Sequence, residues 1–181
     1  MTVTSKRDWL KEGLALLEEA GAGALTIETL TKRFNVTKGS FYHHFKNVQD
    51  FKEQLLTFYA QEQTHQVIQV AERETSPRAS LESVLRATLR PSQLEVAMRA
   101  WAFQDEFARD YQERRDRQRL AYLTELISAW SDDQVHAARM ARLFYSIYIG
   151  SQHMIPPVQG VELAQLYQEA LPLLRFVFET P

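Results

Sequence analysis

The chain of 181 residues contains no cysteine. That excludes a disulfide framework, a thiolate nucleophile, a Cys-bound zinc and an iron–sulfur cluster, and it fits a protein of the reducing cytoplasm. Glycine and proline are scarce, six of each, too few for a collagen-like or low-complexity chain. Neither sign of charge dominates: 21 Lys and Arg against 23 Asp and Glu leave a net charge of −2. A histone-like basic protein and an acidic disordered tail are both excluded. No uncharged apolar run approaches the ~18 residues needed to span a bilayer, and MTVTSKRDWL has no apolar stretch behind its charges. Neither a membrane segment nor a secretory signal is expected. The H-E-x-x-H, G-x-S-x-G, P-loop and dinucleotide-glycine motifs are missing too. The histidines (His43, His44, His65, His136, His153) are scattered, and the first two are expected on different faces of one helix. No catalytic residue, metal or cofactor is expected.

What is present is an apolar fraction of 45%, enough to bury a core. The length suits one domain, or a small module joined to a larger one. Apolar residues recur at helical spacing, with Gly, Pro and Asn between the periodic segments and no period-2 run. The expected fold is all-α with about nine helices. Ser5 and Asp8 form a capping box ahead of a first helix that Gly21 and Gly23 stop. In it Leu10, Leu14, Leu17 and Ala20 form the apolar stripe, flanked by Trp9 and Leu16. Thr26 caps a short helix ending near Phe34, and Thr37 caps another from Lys38 to about His44. Asn47 opens a long helix to about Arg73, which at ~1.5 Å per residue spans about 39 Å. Helices follow from Ser76-Pro77, over 92–130 with a break near Gln104–Phe107, from Ser131 to about Met154, and from Val161 toward the C-terminus, bent at Pro172.

Residues 26–47, TIETLTKRFNVTKGSFYHHFKN, carry the most information. Two short helices joined at Phe34-Asn35-Val36 have helix-turn-helix spacing, and the second is the one that enters a major groove. Ile27, Leu30, Val36 and Phe41 are placed to pack the pair against the first helix, and Asn35 tolerates the positive φ of a tight turn. Gly39 lets a backbone approach closely. The backbone N–H groups that open the second helix favour phosphate. Tyr42 can donate to a phosphate oxygen and Lys46 supplies charge. Lys32, Arg33, Lys38 and Lys46 against Glu28 alone leave +3 on this segment, and it is local charge that sets phosphate affinity.

Residues 5–51 resemble the N-terminal domain of the TetR family of transcriptional regulators. The resemblance rests on Gly21, Thr26 and the run Lys38-Gly39-Ser40-Phe41-Tyr42-His43-His44-Phe45-Lys46. It implies phosphate contacts from Thr26, Thr37, Tyr42 and Lys46, and base or groove contacts from Lys38, Gly39, Ser40 and His43. Phe45 is implied to pack the recognition helix onto the fourth helix. Three positions depart from the family pattern: Asn35 stands where Gly is common, Thr31 where Ala is usual, and Val48 where Lys is frequent, so one phosphate charge is missing.

The expected division is residues 1–47 as a DNA-binding module and 48–181 as a helical body, with the long helix as connector. The helix around Met140–Gly150 and the last helix are apolar nearly all round and need covering on two sides. A C2 homodimer through Tyr145, Ile149, Leu163, Leu166, Tyr167, Leu171, Leu174 and Phe178 is therefore expected, at the two positions the family uses. The resemblance also implies a body cavity for a small apolar or aromatic effector, with Met98, Trp101, Phe103, Phe107, Tyr122, Tyr145, Tyr148 and His153 as candidate lining. The mixed-sign run Arg109–Arg119 reads as a solvated helix face with pairs such as Glu113–Arg117. The expected activity is that of a ligand-released repressor on a palindromic operator. The competing expectation is a helical small-molecule-binding protein or enzyme whose helix-turn-helix has lost its function.

Overall fold

A computed structural model describes residues 5–71, 73–129 and 133–174, with side chains described outside 62–71. Among these residues it holds nine α-helices and no strand. α1 (Lys6–Ala20) begins with the capping box the sequence predicts: Asp8 N–H donates to Ser5 Oγ at 3.2 Å and Ser5 N–H donates back to Asp8 Oδ2 at 2.9 Å. Gly21, at φ 74°, ends it, and a 3-10 turn over Ala22–Ala24 leads on. α2 (Ile27–Phe34) and α3 (Lys38–Tyr42) follow, then α4 (Val48–Ala71), α5 (Pro77–Ala87), α6 (Gln93–Gln104), α7 (Glu106–Ser128), α8 (Gln134–His153) and α9 (Gly160–Ala170).

Several local details differ from the sequence expectation. Thr37 sits at the start of α3 but its side chain makes no capping bond, and α3 stops at Tyr42, with His43 and His44 in a turn. Asp133 caps α8 through the N–H groups of Val135 and His136; Ser131 lies outside the described residues. At Pro172 the last helix tightens into a 3-10 turn, Leu171–Leu174. In α1, Trp9 and Leu16 are core residues and Ala20 is exposed. A wider buried face than one stripe is needed because α1 has neighbours on several sides.

The chain divides into two compact units. One runs to Gln63 and takes in Gln93–Gln112; the other comprises Thr64–Ser92 and the chain from Glu113 onward. The helix-turn-helix thus shares its compact unit with the first part of α4, α6 and the start of α7. The first unit's core gathers Trp9, Leu17, Leu25, Leu30, Phe41, Phe51, Leu55, Met98 and Trp101. Here α1 packs on α2 and α6. It also meets α4 closely: a β-carbon on Gly13 would stand 2.6 Å from Phe51 Cζ and 3.0 Å from Leu55 Cδ1. The second unit's core is built from Leu81, Leu85, Ile127, Phe144, Leu163 and Tyr167, with α9 packed on α5 and α8.

Candidate nucleic-acid interface

The two short helices are held from beneath by aromatic rings. Trp9 of α1, fully buried, lies 4.6 Å from Phe34 of α2 and 5.6 Å from Phe41 of α3, measured between centroids. One ring therefore fixes the angle between the two helices. Replacing a buried Trp by Ala costs about 3–5 kcal/mol, so this contact is a main support of the module. Between the helices Asn35 takes φ 52° and ψ 48°, a left-handed conformation that an Asn adopts at little cost. The N–H of Asn35 donates to Lys32 O and that of Val36 to Thr31 O, satisfying the carbonyls that α2 leaves behind.

Phe41 and Phe45 are buried and anchor α3 and the turn after it to α4: Phe45 meets Phe51 at 5.0 Å with perpendicular rings. This is the role that the resemblance implies for Phe45. With these two phenylalanines facing inward, Tyr42 and His43 between them face outward. Lys38, Gly39, His43 and Lys46 are exposed, and Ser40 is half-buried. Tyr42 stands 55% exposed, its ring edge-on to Phe41. A large apolar ring held in water by a buried neighbour is available to a partner outside the chain. Thr37 is exposed. Thr26, also exposed, caps α2 by accepting the Thr29 N–H at 3.1 Å. The eight residues expected to face DNA thus lie on α3 and in the turns that flank α2 and α3. His44 turns inward toward Trp9, 6.5 Å away.

The turn into α4 is fastened twice. Asp50 N–H donates to Asn47 Oδ1 at 2.9 Å, and Lys46 N–H donates to Asp50 Oδ2 at 2.8 Å. The bond from the Lys46 N–H, and then that from the Gln54 amide, hold the Asp50 carboxyl below the usual range. Val48, in the place where the family pattern has Lys, is half-buried at the helix start.

Electrostatically, the segment is less cationic than its composition. Arg33 makes a two-bond contact with Glu19, at 2.6 and 3.2 Å, and pairs with Glu12 as well. Hydrogen bonding to Arg33 lowers the Glu19 carboxyl, and the same contact raises the guanidinium. Of the four cations counted from sequence, Arg33 is therefore tied to α1, and Lys32, Lys38 and Lys46 carry the patch. Its partners are 14 and 21 positions away, beyond what a charge count over 26–47 can include. Thr31, in the place where the family pattern has Ala, is buried, and its hydroxyl donates back to Ile27 O at 2.8 Å.

The candidate effector residues divide between the two units. Met98 and Trp101 fill the first unit's core, while Phe103 is 80% exposed and Phe107 also reaches solvent. Tyr122, Tyr145 and Tyr148 lie in the second unit. There Tyr145 Oη donates to Asp116 at 2.8 Å and accepts from Arg119 at 3.2 Å, and its ring is 6.0 Å from Tyr148. His153 is exposed, with Nδ1 2.8 Å from Ile149 O. Of the expected dimer residues, Leu163, Tyr167, Leu174 and Tyr145 are buried within the protomer. Leu166 is exposed, Ile149 and Leu171 are half-buried, and Phe178 lies outside the described residues. The Glu113–Arg117 pair is present at 3.8 Å on an exposed face. No described helix is long and apolar enough to cross a membrane.

Comparison with known proteins agrees with this geometry. Residues 10–56 match the model of the bacterial regulatory proteins, tetR family. A solved protein assigned to the TetR/AcrR family of transcriptional regulators superposes with a TM-score of 0.80 at 22% identity, covering 93% of this chain and 97% of that one. A protein of Pseudomonas aeruginosa PAO1 assigned as a transcriptional regulator gives 0.69 at 14% identity, over 93% and 89% of the two chains. The ketosteroid transcriptional regulator KstR2 of Mycobacterium tuberculosis gives 0.59 at 16% identity, over 93% and 92%. No curated protein matches the chain in sequence. The all-helical fold is the one that these solved regulators share. Over residues 10–56 the chain is similar to the N-terminal module of the tetR family.

Proposed function

We propose that the chain is a homodimeric repressor in the cytoplasm that reads a palindromic operator and is released by a small effector. The observation that carries the DNA-reading surface is Gly39. Its φ is not positive, and a β-carbon placed there would meet nothing nearer than Thr37 Oγ1 at 3.5 Å. Neither backbone conformation nor internal packing requires a glycine, yet one inside a helix costs about 0.5–1 kcal/mol relative to alanine. The missing side chain serves whatever approaches from outside, and the neighbours Lys38, Ser40, Tyr42, His43 and Lys46 suit a sugar–phosphate strand and base edges. Thr26 and Thr37 add hydroxyls at the rim.

A dimer places two such surfaces in successive major grooves, ~34–36 Å apart. Ile149, Leu166 and Leu171 are the described members of the expected interface that keep surface available to a second copy, and Ile149 and Leu171 pack against the core that includes Leu163 and Tyr167. An apolar or aromatic effector is assigned to the second unit, where Tyr122, Tyr145 and Tyr148 cluster. If effector weakens operator binding by some factor, operator weakens effector binding by the same factor. No enzymatic activity is assigned to the chain.

The test is selection of bound duplexes from random DNA with the purified protein, followed by titration of Gly39→Ala and Tyr42→Ala on the selected site. Gly39→Ala is expected to melt at the same or a higher temperature and to bind the site at least tenfold more weakly. A Gly39→Ala protein that binds as wild type overturns the reading, as does selection yielding no preferred sequence. Light scattering is expected to give about twice the 21.0 kDa chain mass.

A further inference from the structure

Lys6 lies outside the helix-turn-helix, yet the structure brings it to the same corner as Lys46. Its ammonium is 5.6 Å from the centroid of the Phe45 ring, and that ring is only 2% exposed. A lysine placed this way covers the aromatic face with its stem and keeps its charge in water. The residue after Phe45 is Lys46, whose backbone N–H is fastened to Asp50. The charges of Lys46 and Lys6 both act on the Asp50 carboxylate, so two cations, 40 positions apart in sequence, share the field of one acid.

That acid does not silence them. Oδ2 of Asp50 accepts the Lys46 backbone N–H and Oδ1 accepts the Gln54 amide at 2.8 Å. Both oxygens are engaged by neutral donors, and one negative charge faces two positive ones. Asp8, the nearest acid to Lys6 in sequence, is engaged by Ser5 through its backbone N–H and its hydroxyl. A cationic surplus therefore remains at the corner where Tyr42 and Lys46 are presented. We infer that Lys6 is a further DNA-contacting residue, whose ammonium meets a backbone phosphate beside the one that Lys46 meets. The inference rests on the DNA-reading function proposed above.

A phosphate contact has a signature that a packing contact lacks. Each neutralised phosphate adds about 0.9 to the slope of log K against log salt, without changing sequence preference. The experiment titrates full-length protein with a selected duplex and a scrambled duplex over a range of KCl concentrations. Lys6→Met keeps the apolar stem over Phe45 and removes the charge; Lys46→Gln is the reference. Both are expected to flatten the slope by about one, to weaken both duplexes alike and to leave thermal melting unchanged. Lys6→Arg is expected to restore the slope. If Lys46→Gln flattens the slope and Lys6→Met does not, the inference fails and the DNA reading stands. If wild type binds no duplex, or neither variant changes the slope, the DNA reading itself fails. Weaker binding by Lys6→Met at unchanged slope would confine Lys6 to covering Phe45 and overturn the inference.

Discussion

Gly13 of α1 lies against Phe51 of α4 so closely that a β-carbon would stand 2.6 Å from the ring. Phe51 is fully buried and touches Phe41 and Phe45, so it cannot yield without moving the aromatic cluster under α3. Alanine is the better helix former by about 0.8–1.0 kcal/mol, but overpacking a filled site costs about 1–3 kcal/mol. Gly13→Ala is expected to lower stability in urea unfolding, and to weaken DNA binding through the displaced cluster. A variant as stable as wild type would mean that α1 and α4 sit further apart than described.

The buried carboxylate of Glu95, 1% exposed, joins α6 to α4: Tyr59 Oη donates to it at 3.2 Å and Arg99 Nε at 3.0 Å. Removing one partner of a buried ion pair strands the other and costs about 3–5 kcal/mol. Arg99→Leu is expected to destabilise severely. The double replacement Glu95→Leu with Arg99→Leu is expected to be the milder of the two, because the buried carboxylate is removed together with its cation. Calorimetric melting of the two proteins decides the order.

Tyr167, whose hydroxyl lies 2.8 Å from Thr88 Oγ1, has its phenol pushed up to about 12 by burial. The unfolded phenol ionises near 10, so between pH 10 and 12 the unfolded chain loses a proton that the folded chain keeps. Its contribution is complete below pH 10 and is lost as pH rises toward 12. Tyr167→Phe is expected to flatten this alkaline loss of stability. Unfolding midpoints of wild type and variant across that range make the comparison, and parallel curves would contradict it.

The Thr31 hydroxyl returns to carbonyls of its own helix, Ile27 at 2.8 Å and Glu28 at 3.1 Å. Those carbonyls belong to a helix that is bonded without it, so little is lost with the hydroxyl. Thr31→Ala trades a small cavity for better helix propensity, and the change is expected to stay within about 1 kcal/mol. A much larger loss in the unfolding midpoint would show the methyl group to be tightly packed.

The turn chemistry of the module was legible because it is local. Asn35 in the left-handed region, Thr26 as a cap and the Ser5–Asp8 box all depend on residues within four positions of each other. The outward set from Lys38 to Lys46 was legible from the family motif, since the inward Phe41 and Phe45 define its opposite face. What escaped depended on distance along the chain. Arg33 counted as a free cation until α1 supplied Glu12 and Glu19. Trp9 read as a flank of its own helix because its partners, Phe34 and Phe41, lie in other helices. In the body, apolar periodicity marks Leu163, Tyr167, Met98 and Trp101 as buried but cannot say against what. Within their own units, α5 and α8 pack on the helix of the first two, and the N-terminal core encloses the others.

The indole of Trp9 has a practical consequence for exchange of parts between relatives. A graft cut at Thr26 would carry both short helices away from the ring that sets their angle, and would leave Lys6 and Gly13 behind with it. Swapping specificities between such proteins therefore calls for a splice ahead of Ser5, so that the reading head travels with its own keel.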